Sequence, residues 1–130
     1  NLKKLSKKLK INDKIIWIDY LDEIKSFFSL INIFCLTSEH EGFGIVTLES
    51  FYNRKPIICT HAGSLSEIVK NGYNGICLRK NKLYMLPKYF HQLMSKKKAK
   101  FLVKNAFNIL NKKFTNKQMF KLTDRIYRIN

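Results

Sequence analysis

The chain has 130 residues, 45% hydrophobic and 13% aromatic, with 25 Lys+Arg against 9 Asp+Glu for a formal net charge of +16. A domain of this size buries about two-thirds of its unfolded surface and needs no disulfide or metal to hold a core, which excludes a disordered segment or a small disulfide scaffold. The longest uncharged apolar stretch, Phe27 to Leu36, is about half of a bilayer span and is interrupted by Ser29 and Asn32, which excludes a transmembrane helix.

Leu2, Leu5 and Leu9 recur at helical spacing and predict a covering helix ahead of an apolar run, Lys14–Ile18. This opening is basic, has no continuous apolar core of a signal peptide, and begins with Asn1, so a cut through a longer chain is expected. Leu21, Ile24, Phe27 and Phe28 predict a second covering helix before the run Ile33–Leu36. A glycine-bearing loop, Glu41-Gly42-Phe43-Gly44, then leads into a helix over Ile45–Asn53. The run Pro56–Thr60 follows. Next comes a helix over Ser64–Asn71, with Ser64 or Ser66 as N-cap and Gly72 just past its end, and then the run Gly75–Arg79.

Four apolar runs separated by roughly 15–20 residues of helix and turn predict a parallel sheet covered on both faces, a Rossmann-like, doubly wound α/β domain. Beyond Arg79 the pattern predicts two or three basic amphipathic helices. Pro87 falls near the first turn of one, and Phe101, Val103, Phe107 and Leu110 form a buried stripe.

Cys35, Cys59 and Cys77 are odd in number, have no CxxC spacing and sit inside apolar runs. They are expected to be buried free thiols in a reducing cytoplasm, and with no His at ligand spacing no metal site is expected. The charge is lopsided. Residues 1–79 carry 11 basic and 8 acidic side chains, whereas residues 80–130 carry 14 basic and one acidic, Asp124. That field attracts anionic partners, whether nucleic acid, lipid headgroups or phosphorylated substrates, although a chain this rich in Lys, Asn, Ile and Phe also acquires lysines through biased composition.

The segment Thr37 to Glu49 carries the chemistry. Glu41 and Glu49 lie eight positions apart, one in the loop and one about a turn into the helix. A carboxylate accepts both hydroxyls of a vicinal diol, so the pair suits a ligand with a diol at each end, such as a nucleotide sugar. Between them, the N–H groups around Gly44, Ile45 and Val46 are expected to meet a diphosphate, and the two glycines let backbone approach closely.

Here the sequence resembles the retaining, family-4-type glycosyltransferases of the GT-B fold, whose donor-binding domain carries an E-x7-E signature within S-x-x-E-G-F-G-x-x-x-x-E. Ser38 to Glu49 matches it throughout, Lys55 to Thr60 resembles K-P-V-V-A-T, Ala62 to Val69 resembles G-G-x-P-E-I-V, and Asn71 to Gly75 resembles D-G-x-N-G. The resemblance implies the C-terminal half of a GT-B fold with basic C-terminal helices, spanning residues 1–130 and lacking the first βα unit and the N-terminal acceptor domain. It implies a hexosyltransferase using a nucleotide-diphosphate sugar, with retention and without metal or other cofactor. Its acceptor would be a glycan or lipid-linked sugar in envelope polysaccharide synthesis, at the cytoplasmic face of the membrane.

On that resemblance Glu41, the catalytic position, holds the donor sugar, Glu49 holds the ribose diol, and Gly42, Phe43, Gly44, Ile45 and Val46 line the sugar and diphosphate. The chain departs from the pattern at Ser64, Ser66 and His61, which puts loop shape and donor choice in question. The basic diphosphate-binding pair of the family is absent from this stretch. A fragment with the fold but no activity is therefore one competing reading. A basic nucleic-acid-binding module is another, opposed by aromatics in residues 96–128 that fall at core spacing. Lys96, Lys97, Lys98, Lys100 and Lys104 cluster and are expected to give salt-sensitive contact with anionic membranes.

Overall fold

The computed structural model describes residues 1–128. Three parallel strands, β1 (Phe34–Leu36), β2 (Ile57–Thr60) and β3 (Ile76–Leu78), lie side by side in that order. Phe34 sits opposite Ile57, Ile58 opposite Ile76, and Cys59 opposite Cys77. Helix α3 (Ile45–Tyr52) connects β1 to β2, and the single turn α4 (Leu65–Ile68) connects β2 to β3. Every residue of β2 is buried, as expected of a central strand covered on both faces.

One face packs Ile57 and Cys59 against Phe51, Leu65 and Ile68 of the two crossover helices. The other packs Ile58, Ile76 and Leu78 against Leu93 of α5 (Leu86–Met94) and Leu102 of α6 (Lys96–Lys113). Helix α6 reaches both layers, because Ala106 joins the first face while Leu102 joins the second. Pro87 stands in the first turn of α5, and α7 (Asn116–Tyr127) ends the described chain. The α/β architecture is the one predicted.

Several local expectations fail for physical reasons. Lys14–Ile18 is not a strand: a 3-10 turn (Asn12–Lys14) opens into extended chain that pairs with no described strand, and Ile16 is 87% exposed. An apolar run becomes a strand only where a neighbour takes its N–H and C=O groups, and β1 is the open edge on that side. Helix α1 (Leu2–Lys8) forms, but Leu2, Leu5 and Leu9 are exposed and cover nothing. Helix α2 (Ile24–Leu30) does cover, through Phe28, whose ring lies 5.3 Å from that of Phe34. On α6 the buried positions are Leu102 and Ala106, one residue out of step with the predicted stripe, and Phe101 is exposed.

The cysteines also divide. Cys59 is buried, Cys77 partly so, and Cys35 is exposed on the edge strand. Cys59 and Cys77 sit side by side across β2 and β3. The thiol hydrogen bond between them pushes Cys59 far up, with burial adding to the rise, and draws Cys77 down against the opposing effect of its own burial.

Helix α4 stops at Ile68, a turn short of the predicted end, because the buried Asn74 side chain takes over its last groups. Asn74 Nδ2 donates to the Ile68 carbonyl at 2.9 Å, and its Oδ1 accepts from Lys70 N–H at 2.6 Å. Gly72, at φ +77°, belongs to the turn that follows, where its N–H donates to the Gly75 carbonyl. Replacing Asn74 by Ala orphans one buried carbonyl and one N–H, each costing about 1–3 kcal/mol. Urea denaturation of Asn74→Ala is expected to show a loss of about 2–6 kcal/mol.

Candidate functional site

The carboxyl ends of the strands gather two loops. Residues 37–44 follow β1 and residues 61–64 follow β2. The first loop is tethered along its length. Thr60 Oγ1 donates to the Ser38 carbonyl at 2.5 Å, and Glu39 pairs with Lys80 beyond β3, which holds the Glu39 carboxyl below its usual range. Gly44 closes the loop in the left-handed region, at φ +73°, as the N-cap of α3. A Cβ there would stand 2.6 Å from Leu65 Cδ2.

Gly63, at φ +50°, lies against the backbone of Glu41, so closely that a Cβ on it would overlap the Glu41 carbonyl. The two loops therefore fit together only as glycine permits.

Helix α3 points its N-terminus at this edge, and the N–H groups of its first turn have no intrahelical acceptors. Ile45 is exposed, Val46 half-buried and Gly44 buried. Thr47, fully buried beneath the loop, has a hydroxyl without a partner among the described residues, and so does Ser64. Ser64 occupies the N-cap position of α4, but its side chain caps nothing, and Ser66 Oγ donates back to the Gly63 carbonyl at 3.2 Å.

Glu49 and Phe43 line two adjoining cavities. A cavity of about 400 Å³ lies between α2, α3 and the end of α6, lined by Lys25, Glu49, Tyr52, Asn111 and Phe114 among others. A second, of about 360 Å³, is lined by Phe43 with Met119 and Leu122 of α7. They share Leu48, Phe114 and Thr115, and the Phe43 and Phe114 rings meet edge to face at 6.3 Å. Glu41, half-buried, lines neither; it lies against Gly44 and Gly63. Gly42 is exposed with open space around it. His40, His61 and Glu67 are all exposed.

Sequence reasoning missed Lys80, Phe114 and the steric role of Gly63. The first two act across more than forty residues of chain, and only the run of small residues around Gly63 hints at the third. Among the described residues no group of three or more His, Cys, Asp or Glu is placed to hold a metal ion, and no helix is long and apolar enough to cross a membrane.

The sequence model of the family described as Glycosyl transferases group 1 matches residues 1–109. An uncharacterized glycosyltransferase of Methanocaldococcus jannaschii is 43% identical over 60 residues, 46% of this chain and 17% of that protein. The O-antigen biosynthesis glycosyltransferase WclY of Escherichia coli is 28% identical over 130 residues, 98% of this chain and 35% of that one.

Among solved structures, the C-terminal domain of a glycosyl transferase group 1 family protein (LpcC) from Francisella tularensis superposes with a TM-score of 0.71. Its identity is 24%, over 88% of this chain and 61% of that one. Anabaena Alr3699/HepE, in complex with UDP and glucose, superposes with a TM-score of 0.84 at 21% identity, over 95% of this chain and 35% of that one. The chain spans about a third or less of the length of these curated relatives.

Gly63→Ala tests how the loops are held. The left-handed conformation costs an alanine about 1–2 kcal/mol before any steric overlap is counted, so stability is expected to fall by at least that amount. The amide resonances of residues 41–44 should shift with it in ¹H–¹⁵N NMR. Gly42→Ala, whose new methyl meets open space, should leave both stability and neighbouring resonances nearly unchanged.

Proposed function

Because the chain belongs to the glycosyl transferases group 1 family and has the fold of a GT-B C-terminal domain, we propose that it is the donor-binding part of a retaining hexosyltransferase that uses a nucleotide-diphosphate sugar. The observation that carries this reading is the placement of the Ser38-to-Glu49 motif. It spans from the carboxyl edge of a parallel sheet into the first turns of α3, which is where open α/β sheets bind ligands and where first-turn amides favour phosphate oxygens.

In this reading the amides of Gly44, Ile45 and Val46 meet the diphosphate, Gly42 and Phe43 border the sugar, Glu49 takes the ribose diol and Glu41 the sugar hydroxyls. Transfer breaks the anomeric C–O bond to the diphosphate and forms a bond from the same carbon to an acceptor hydroxyl. The proton of that hydroxyl passes to a donor phosphate oxygen, without metal. The E. coli relative acts in O-antigen biosynthesis, which supports a glycan or lipid-linked acceptor.

A nucleic-acid module needs free aromatics interleaved with its bases. Three aromatics of α6 and its end are engaged within the chain instead: Phe107 lies 4.0 Å beneath the Arg54 guanidinium, Phe101 packs edge-on to Tyr73, and Phe114 to Phe43; Phe120 and Tyr127 of α7 are exposed, but at about 100° per residue they fall on the other side of that helix from Lys117, Lys121 and Arg125 rather than among them.

Hydrogen bonds to a charged group contribute about 1.5–3 kcal/mol. Glu49→Gln is therefore expected to weaken binding of a nucleoside diphosphate about 10- to 100-fold by calorimetry. Glu41→Gln is expected to leave that affinity unchanged and remove the gain from the attached sugar. Equal loss of bare-nucleotide affinity in both variants contradicts this division of roles. Because these 130 residues span about a third of the length of the E. coli relative, they are expected by themselves to transfer no measurable sugar from donor to acceptor, lacking the surface that would orient the second substrate.

A further inference from the structure

The opposite, amino edge of the sheet carries a cavity of about 320 Å³ that shares no residue with the two beside Glu49 and Phe43. Its floor and walls are apolar: Ile33 just ahead of β1, the buried Pro56 just ahead of β2, Leu93 of α5 and Val103 of α6. The two strand starts are joined there, Phe34 N–H donating to the Pro56 carbonyl at 2.9 Å. Around this floor stand Arg54, Lys96 and Lys100, and no acidic side chain lines the cavity.

The fold brings these three cations together. Lys96, Lys100, Val103 and Phe107 recur at spacings of three and four residues and so share one side of α6. Arg54 reaches the same side, its guanidinium 4.0 Å over the Phe107 ring. The turn that carries it is held firmly: Arg54 N–H donates to the Phe51 carbonyl at 3.1 Å and Lys55 N–H to the Ser50 carbonyl at 2.9 Å. Arg54 stands at φ +55°, a left-handed conformation that an L side chain adopts only at a cost, and backbone strain of this kind gathers at ligand sites. Among the described residues none of the three cations enters an ion pair.

We infer that this groove is a ligand site separate from the carboxyl edge, for a small soluble phosphomonoester with an apolar body. Its volume lies at the lower end of the roughly 300–1,000 Å³ of small-molecule sites, so the ligand is small. Three positive groups with no acid among them exceed what one carboxylate can match. A phosphomonoester carries close to two charges and three strong acceptor oxygens, which a guanidinium fork and two ammonium groups can share. Inorganic phosphate alone would leave the floor of Ile33, Pro56, Leu93 and Val103 in water, whereas a ring attached to the phosphate covers it. The inference does not depend on the donor-binding reading, because no residue is common to the two places.

The test is titration of the full chain with phenyl phosphate, inorganic phosphate and benzoate, followed by ¹H–¹⁵N NMR. Phenyl phosphate is expected to shift the amides of Ile33, Arg54, Ala99, Lys100 and Val103, and to bind about fivefold or more tighter than either of the others. Arg54→Gly relieves the strained backbone while removing the cation, and Lys96→Gln/Lys100→Gln alters only exposed side chains. Each is expected to weaken binding about tenfold or more. Should Arg54→Gly unfold through loss of its stacking on Phe107, the lysine pair decides alone. Lys117→Gln/Lys121→Gln on α7 should change binding less than about twofold. The inference is overturned if phenyl phosphate shifts none of these amides or only those of residues 44–46, or if benzoate or inorganic phosphate binds as tightly. Equal weakening by the α7 variant overturns it too, because the attraction is then diffuse charge.

Discussion

At the carboxyl edge of the sheet two loops touch backbone to backbone, with no space for a side chain between them. Gly63 rests on the carbonyl of Glu41 in the left-handed region, and Gly44 turns beneath Leu65 in the same region. Everything proposed for the site depends on this contact. It sets where Glu41 stands, and the αL turn at Gly44 sets the direction in which α3 leaves. The direction of α3 in turn decides where its first-turn amides point and where Glu49 emerges one turn later. The tethers at Ser38 and Glu39 hold the same loop from its other end.

Around this fixed edge the chain is unevenly partnered. The two layers over the sheet are well packed, and β2 is buried throughout. Helix α1, the extended segment after it and helix α7 keep large apolar side chains in water. Apolar area removed from water stabilises by about 25 cal/mol per Å², so these faces are latent binding energy. The well-partnered edge suits a small, chemically defined ligand.

How far this could be read from the sequence follows from how local each cause is. The runs around Cys35, Cys59 and Cys77 announced β1, β2 and β3, because buried parallel strands must be apolar on both faces. The run Lys14–Ile18 has the same composition and forms no strand, since pairing depends on a neighbour and not on the run itself. The glycine loop and the helix behind it were visible as a motif, and the structure places that helix to within a residue of expectation.

The amide of Asn74, the ring of Phe114 and the cation of Lys80 reach their partners through tertiary geometry that no spacing rule encodes. Arg54 makes the point from another side. It holds φ +55°, a conformation that favours glycine, with its guanidinium stacked 4.0 Å over Phe107 on a distant helix. The predicted stripe on α6 missed by one residue because Phe101 and Phe107 look like core by type, yet Leu102 and Ala106 fit the narrower space beside the sheet.

The claim on which the rest turns is that the α3 N-terminus and Glu49 together hold a nucleoside diphosphate. A crystal structure of the chain soaked with UDP tests it most directly. The account predicts phosphate oxygens within hydrogen-bond distance of the Gly44, Ile45 and Val46 amides and both ribose hydroxyls on the Glu49 carboxylate. A nucleotide bound elsewhere, with these amides and Glu49 left untouched, would contradict it.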